Sequence, residues 1–94
     1  MNSDGWRCFL DWCVGTQDKA LLTELYDCLL TPEEKDSIET RCLIVRELLS
    51  QEQTQRQISE SLQVSIAKIT RGSNQLKRIS PKLKAYLSSA VGES

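Results

Sequence analysis

Between Thr54 and Arg78 the chain reads TQRQISESLQVSIAKITRGSNQLKR, two short stretches of helical apolar spacing with only three residues between them. Thr54 with Gln57 three positions later is the pattern of a capping box, in which side chains and backbone amides satisfy one another at a helix start. Ile58 and Leu62 give that helix a buried edge. Gln63-Val64-Ser65 is the turn, Ser65 caps the next helix, and Ile66, Ile69 and Leu76 anchor it. A connection this short restricts how the two helices can be arranged, and the fitting motif is a helix-turn-helix. Positive charge gathers toward its end, at Lys77 and Arg78.

The remaining segments read as helices that hold this unit. Ser3 or Asp4 caps a first helix through WRCFLDWCV, where Trp6, Phe9, Leu10 and Cys13 share a face and Trp12 lies off it. Gly15 ends or loosens that helix. Thr16 caps a second, from Gln17 to Leu30, with Leu21, Leu22, Leu25, Tyr26 and Leu29 as its apolar side. Thr31-Pro32-Glu33-Glu34 is a strong helix start: a capping hydroxyl, proline where no amide is needed, and carboxylates at the positive end of the dipole. The helix it opens runs to about Ser50, with Ile38, Cys42, Val45, Leu48 and Leu49 on one face. Ser80-Pro81 repeats the signal and starts a last helix with Leu83 and Leu87 inward and a frayed tail after Ala90. No segment alternates polar and apolar residues over a strand's length. The expectation is one all-α domain of six helices.

Several function classes are excluded or weakened by composition. At 94 residues a monomer buries a limited core, so self-association would add stability. The formal net charge of −1 hides a segregation of sign. Residues 1–40 hold nine acidic against three basic side chains, residues 41–62 three of each, and residues 63–94 one against six. One end is therefore suited to phosphate. The chain has no histidine, and Cys8, Cys13, Cys28 and Cys42 lack CxxC spacing, so no metal site is expected. The cysteines sit among apolar residues and read as reduced, core or near-core thiols. With no histidine base and no glycine-rich phosphate loop, catalysis is not expected. There is no secretory leader pattern and no apolar run of membrane-spanning length, which places the chain in the cytoplasm, off the membrane.

DNA binding fits the residues better. Gln55 and Arg56 fall in the first turn of the unit's first helix, and Lys68, Thr70, Arg71 and Lys77 fall on the second. Ala67 is small enough for close backbone approach. Arginine suits bidentate contact with guanine, while lysine and threonine meet phosphate oxygens. Two other readings share the pattern: a ligand-independent helix-turn-helix module of the replication-initiator type, and a helical protein-interaction dimer. The basic carboxyl-terminal third argues against the second of these.

Specific residues go further than pattern. LLTPEEKDSIETRCLIVRELL, then QRQISESL, then IAKITRGSNQLK closely resemble the bacterial tryptophan repressors, without gaps from about Trp6 and most densely from Leu30 to Lys77. The resemblance implies an intertwined homodimer of six-helix subunits that binds L-tryptophan as corepressor, needs no other cofactor, and then recognises a palindromic operator in double-stranded DNA. On that basis residues 1–50 and 80–90 would supply dimerisation helices and residues 54–78 the reading unit. Helix-turn-helix proteins lay the second helix in the major groove, and tryptophan repressors are themselves a reference case of that docking.

Carried over by position, Arg41 and Arg71 would sandwich the indole ring, since planar guanidinium groups stack on aromatic faces. Arg71 would also meet the ligand carboxylate, and Gly72 would leave room for the ring. Backbone carbonyls of Cys28 and Leu30, near Thr31, would receive polar groups of the ligand from the partner subunit. On the DNA side Arg56 would read guanine directly. Ile66 and Ala67 would offer backbone amides through water, a mode for which these repressors are again a reference case. Thr40, Arg41, Gln55, Thr70 and Lys77 would meet phosphates.

Three departures qualify the transfer. Gln75 replaces a small serine near the ligand ammonium, which would change affinity or ligand choice. Lys68 replaces a threonine at a base-facing position. The turn reads Gln63-Val64-Ser65 where the resemblance calls for small residues and glycine, so Gln63 or a neighbour would carry any positive φ and Val64 would stiffen the loop. A stiffer turn would partly pre-organise the reading unit and weaken its dependence on tryptophan.

Overall fold

A computed structural model describes residues 3–92 and, over those residues, contains six helices and no strand. They are α1 Asp4–Gly15, α2 Lys19–Leu29, α3 Pro32–Ser50, α4 Gln55–Leu62, α5 Ile66–Leu76 and α6 Pro81–Gly92. The all-α expectation holds. The chain divides into two compact units, one ending at Lys35 and the other beginning at Asp36.

In the first unit α1 and α2 meet through aromatic side chains. The Phe9 ring lies 5.1 Å from that of Trp6 and 6.1 Å from that of Tyr26. Cys13 Sγ is 3.3 Å from the Tyr26 hydroxyl, and this hydrogen bond, with lesser help from burial, holds the phenol above its ordinary pKa. Ser3 occupies the cap position of α1 but makes no side-chain bond there. The expected cap of α2 is corrected. Asp18, not Thr16, accepts from the Ala20 amide at 3.0 Å, and the helix starts at Lys19. Aspartate is the stronger capping acceptor, and the Thr16 hydroxyl instead accepts from the Asp18 amide at 3.2 Å. At α3 the Thr31 hydroxyl accepts from the Glu34 amide at 3.1 Å while Glu34 Oε1 accepts from the Thr31 amide at 2.8 Å. That is a complete capping box. Lys35 pairs with Asp27 of α2.

The second unit is centred on three isoleucines, Ile44 of α3, Ile58 of α4 and Ile69 of α5, with Leu48, Leu62 and Val64 packed around them. Ile58 and Ile69 are wholly enclosed. The face expected on α3 is therefore revised. The enclosed stripe is Ile44 with Leu48 one turn on, while Ile38 and Cys42 are exposed. Val45 and Leu49 of the expected face are half-buried, as is Leu48, so only its amino-terminal part is left uncovered. At Gly72 a Cβ would stand 3.0 Å from Ile44 Cγ2 and 3.6 Å from Leu48 Cδ1, so α5 lies close enough to α3 that a larger residue there would require Ile44 to give by a few tenths of an ångström.

The capping box at α4 forms as expected, with the Gln57 amide 3.1 Å from Thr54 Oγ1 and the Thr54 amide 2.8 Å from Gln57 Oε1. Gln63 takes the left-handed conformation, φ 57° and ψ 44°, and the Gln63 and Val64 amides both donate to the Ser59 carbonyl. The Val64 bond is the long one of a Schellman ending and the Gln63 bond that of the simpler left-handed cap, here without the usual glycine. Ser65 caps α5, accepting from Lys68, and Ser80 caps α6, accepting from the Leu83 amide at 3.1 Å.

Other expectations need correction. Ile66 and Leu83 are exposed, at 52% and 43%. Ile66 opens α5 beyond the reach of the isoleucine cluster, and Leu83 stands one turn before Leu87, which is half-buried. Cys8, Cys28 and Cys42 are free and exposed, and only Cys13 is half-buried. The last helix continues to Gly92 where fraying after Ala90 was expected; residues 93–94 lie outside the described residues.

Replacing Ile58 by alanine should cost about 2–5 kcal/mol, the range for truncating an enclosed aliphatic side chain. Urea unfolding measures it, and a loss below about 1 kcal/mol would show that this cluster does not hold the unit together.

Candidate functional site

The close approach of α5 to α3 at Gly72 is bordered by a cavity of about 660 Å³ within the second unit. Ligand pockets commonly measure roughly 300–1,000 Å³. Its apolar lining comes from Ile44 and Val45 of α3, Leu76 of α5, Ile79, and Leu87 of α6. Polar side chains come from α3 and α5: Asp36, Thr40 and Arg41 from one, Lys68, Arg71 and Gln75 from the other. Four of the residues assigned to the ligand by resemblance, Arg41, Arg71, Gly72 and Gln75, thus line a single cavity. Helical spacing explains the convergence, because 68, 71, 72 and 75 recur at three and four along α5 and share one side.

The cavity is positively charged. Three cations face one carboxylate, and among the described residues Arg41, Lys68 and Arg71 have no ion pair or side-chain hydrogen bond. Unpaired guanidinium and ammonium groups beside an apolar wall suit a flat, apolar molecule that carries an anionic group. Cys28, Leu30 and Thr31 belong to the first unit. The Leu30 amide donates to the Tyr26 carbonyl at 2.8 Å, and the Thr31 hydroxyl is occupied as the α3 cap.

The other face of the helix-turn-helix is open. Thr70 Oγ1 donates to Gln55 Oε1 at 3.1 Å, a polar tie between α4 and α5. Arg56 is 84% exposed, and its Nε lies 3.6 Å from Glu60 Oε1 one turn on, leaving the terminal amines of the guanidinium unpaired. Such an exposed pair contributes little to stability. Ile66, Ala67, Lys68 and Thr70 are all exposed along the start of α5. The amides of Ile66 and Ala67 precede any intrahelical acceptor and have no protein partner among the described residues. They present two free donors at the positive end of the helix. Lys77 ends α5, exposed and unpaired.

Several neighbours in this arrangement were not singled out by the sequence. Asp36 and Ile79 in the cavity have no local signature, and Leu87, legible as an inward residue of the last helix, joins the site only through how α3, α5 and α6 pack. Glu60 was readable, because a carboxylate four residues after an arginine on a helix is a regular pair.

Fold and site together define a helix-turn-helix protein whose second helix walls a ligand-sized, cation-lined cavity. Residues 4–91 match the family described as Trp repressor protein. The chain is 43% identical over 86 residues to the Trp operon repressor homolog of Chlamydia caviae, covering 92% of this chain and 85% of that protein. It is 41% identical over 87 residues to the homolog of Chlamydia trachomatis serovar D, covering 93% of each, and 44% identical over 82 residues to that of Vibrio vulnificus, covering 87% and 80%. The chain belongs to the Trp repressor family, whose members are regulators and not enzymes.

Alanine at position 72 tests the packing that frames the cavity. Alanine favours a helix by about 1 kcal/mol over glycine. Against this, overpacking costs about 1–3 kcal/mol, and enclosed, β-branched Ile44 has little room to yield. A net loss of about 1 kcal/mol is expected for Gly72→Ala in denaturant unfolding, and a gain would show that Ile44 can step aside.

Proposed function

We propose that this protein is an L-tryptophan-dependent transcriptional repressor of tryptophan biosynthesis or salvage genes, binding a palindromic operator as a homodimer in the cytoplasm. The observation that carries the reading is that α5 presents two distinct faces. One lines the cavity with Lys68, Arg71, Gly72 and Gln75, and the other leaves Ala67 and Thr70 open beside the free amides that begin the helix.

In this reading the indole ring lies between Arg41 and Arg71 against the aliphatic lining, and Arg71 also meets the carboxylate. Gln75 or Asp36 faces the ammonium. Cys28 and Leu30 of a second subunit bring carbonyls, near Thr31. Filling the cavity fixes the tilt of α5. The amides of Ile66 and Ala67 and the side chains of Lys68 and Arg56 then meet one major groove, while Thr40, Arg41, Gln55, Thr70 and Lys77 meet phosphates. Tryptophan can shift the protein only by its preference for the aligned form. Moving such an equilibrium from 1:99 to 99:1 takes a preference of about 10⁴-fold.

Two further facts support the dimer. Only Ile44, Ile58 and Ile69 are buried among the described residues, too few to sustain a stable monomer of this size. Trp6, Trp12, Val14, Leu21, Ile38 and Tyr86 are all exposed, and a second copy would cover them. No helix among the described residues is long and apolar enough to cross a membrane. A ligand-independent helix-turn-helix module is favoured by one observation, the Gln63-Val64 turn, which stiffens the reading unit.

A gel shift on palindromic operator DNA, with and without saturating L-tryptophan, separates the two. Binding that needs tryptophan supports the repressor; equal binding in both arms overturns it. A many-hundredfold ratio would discard the idea that the turn pre-organises the unit. Arg71→Ala should abolish the tryptophan response, and calorimetry showing normal tryptophan uptake by that variant would refute the pocket assignment. Arg56→Ala should cost about 1–3 kcal/mol on operator alone, and an equal loss on random duplex would contradict base reading.

A further inference from the structure

The carboxyl-terminal third holds more positive charge than the proposed reading uses. From Ser61 to Gly92 there is no aspartate or glutamate, while Lys68, Arg71, Lys77, Arg78, Lys82 and Lys84 all fall in that span. Lys68 and Arg71 line the cavity, and Lys77 is assigned to phosphate by resemblance. Arg78, Lys82 and Lys84 are left without a role. All three are exposed, and among the described residues none has an ion pair or side-chain hydrogen bond.

Geometry ties Arg78 to the reading helix. A shallow groove of about 460 Å³ follows the open side of α5, lined by Ala67, Thr70, Arg71, Asn74, Gln75 and Arg78. It begins beside the free amides and ends at Arg78. Lys82 and Lys84 follow within a few residues, at the start of α6, where the first turn holds no carboxylate. Lysines at that end oppose the helix dipole, whereas α3 places Glu33 and Glu34 there. Helix stability gives no reason for this charge, and an external polyanion does.

We propose that Arg78, Lys82 and Lys84 form a strip that meets DNA phosphates flanking the bases read, extending the footprint past α5. The inference rests on the repressor reading for its partner, and the strip is blind to sequence, because phosphates position a protein without specifying bases.

The test measures operator and random-duplex affinity of the full chain over a series of salt concentrations with saturating L-tryptophan. The wild type is compared with Arg78→Gln/Lys82→Gln/Lys84→Gln and with the charge-keeping Arg78→Lys/Lys82→Arg/Lys84→Arg. The neutralised variant should weaken on both duplexes alike. Its slope of log affinity against log salt should become shallower by about 0.9 for each phosphate no longer neutralised, or about 5 for three phosphates under each of two subunits. The charge-keeping variant should retain the wild-type slope, and each single glutamine variant should show about a third of the effect even if the triple one misfolds. An unchanged slope with operator binding intact overturns the strip and leaves the repressor reading standing. An unchanged slope with a weakened homodimer assigns the strip to the acidic residues of a second copy, which also overturns it. If the wild type shows no tryptophan-dependent operator binding, the repressor reading fails, and the random-duplex slope decides the strip by itself.

Discussion

The packing of Ile44, Ile58 and Ile69 against one another is what the second unit depends on. It joins three successive helices through side chains that are stiff at χ1, so the angle between α4 and α5 is held by shape. A short turn needs such a fixed core, because Gln63 sits in a conformation that glutamine does not favour by itself. The cap bonds to Ser59 and the Gln55–Thr70 tie brace the same crossing from its two ends. Gly72 then determines how near α3 can come, and with it the width of the cavity beside that approach.

Much of this was legible in the sequence. The Thr54/Gln57 box, the Gln63 bend, the Ser65 cap and the Ile58/Ile69 core are local patterns, and local patterns are set by neighbours along the chain. Errors came where a choice depended on distant residues. Asp18 displaced Thr16 because two competent caps stood two residues apart. On α3 the reading holds in part: Val45, Leu48 and Leu49 are half-buried, but the enclosed residue is Ile44, which packs beside Gly72, nearly thirty residues away, while Ile38 and Cys42 are exposed. Cys8, Cys28 and Cys42 read as core because their neighbours are apolar, yet several of those neighbours, Leu10, Leu29 and Ile38 among them, are themselves exposed in a single chain. For the site, Arg41, Arg71, Gly72 and Gln75 were reached through resemblance, and their common cavity follows from packing. Asp36 was not reached at all, and Leu87 only as an inward residue of the last helix.

Charge and apolar surface are distributed on different principles. The acidic amino-terminal residues accompany exposed aromatic and aliphatic side chains, and in the proposed dimer that combination would keep the association surface from binding nucleic acid indiscriminately. The acid-free carboxyl-terminal third accompanies the free amides and unpaired cations of α5. A net charge near zero is thus the sum of two specialised surfaces.

The two-faced character of α5 restricts how such a protein can change over generations. Lys68 borders the cavity and also stands in the first turn of the helix, beside the open amides. Arg71 borders both the cavity and the outer groove. No substitution at either position is private to one face. Under the proposed function, a lineage that drifts toward a different small molecule therefore drifts toward a different surface for its macromolecular partner in the same step, and the two specificities are inherited together.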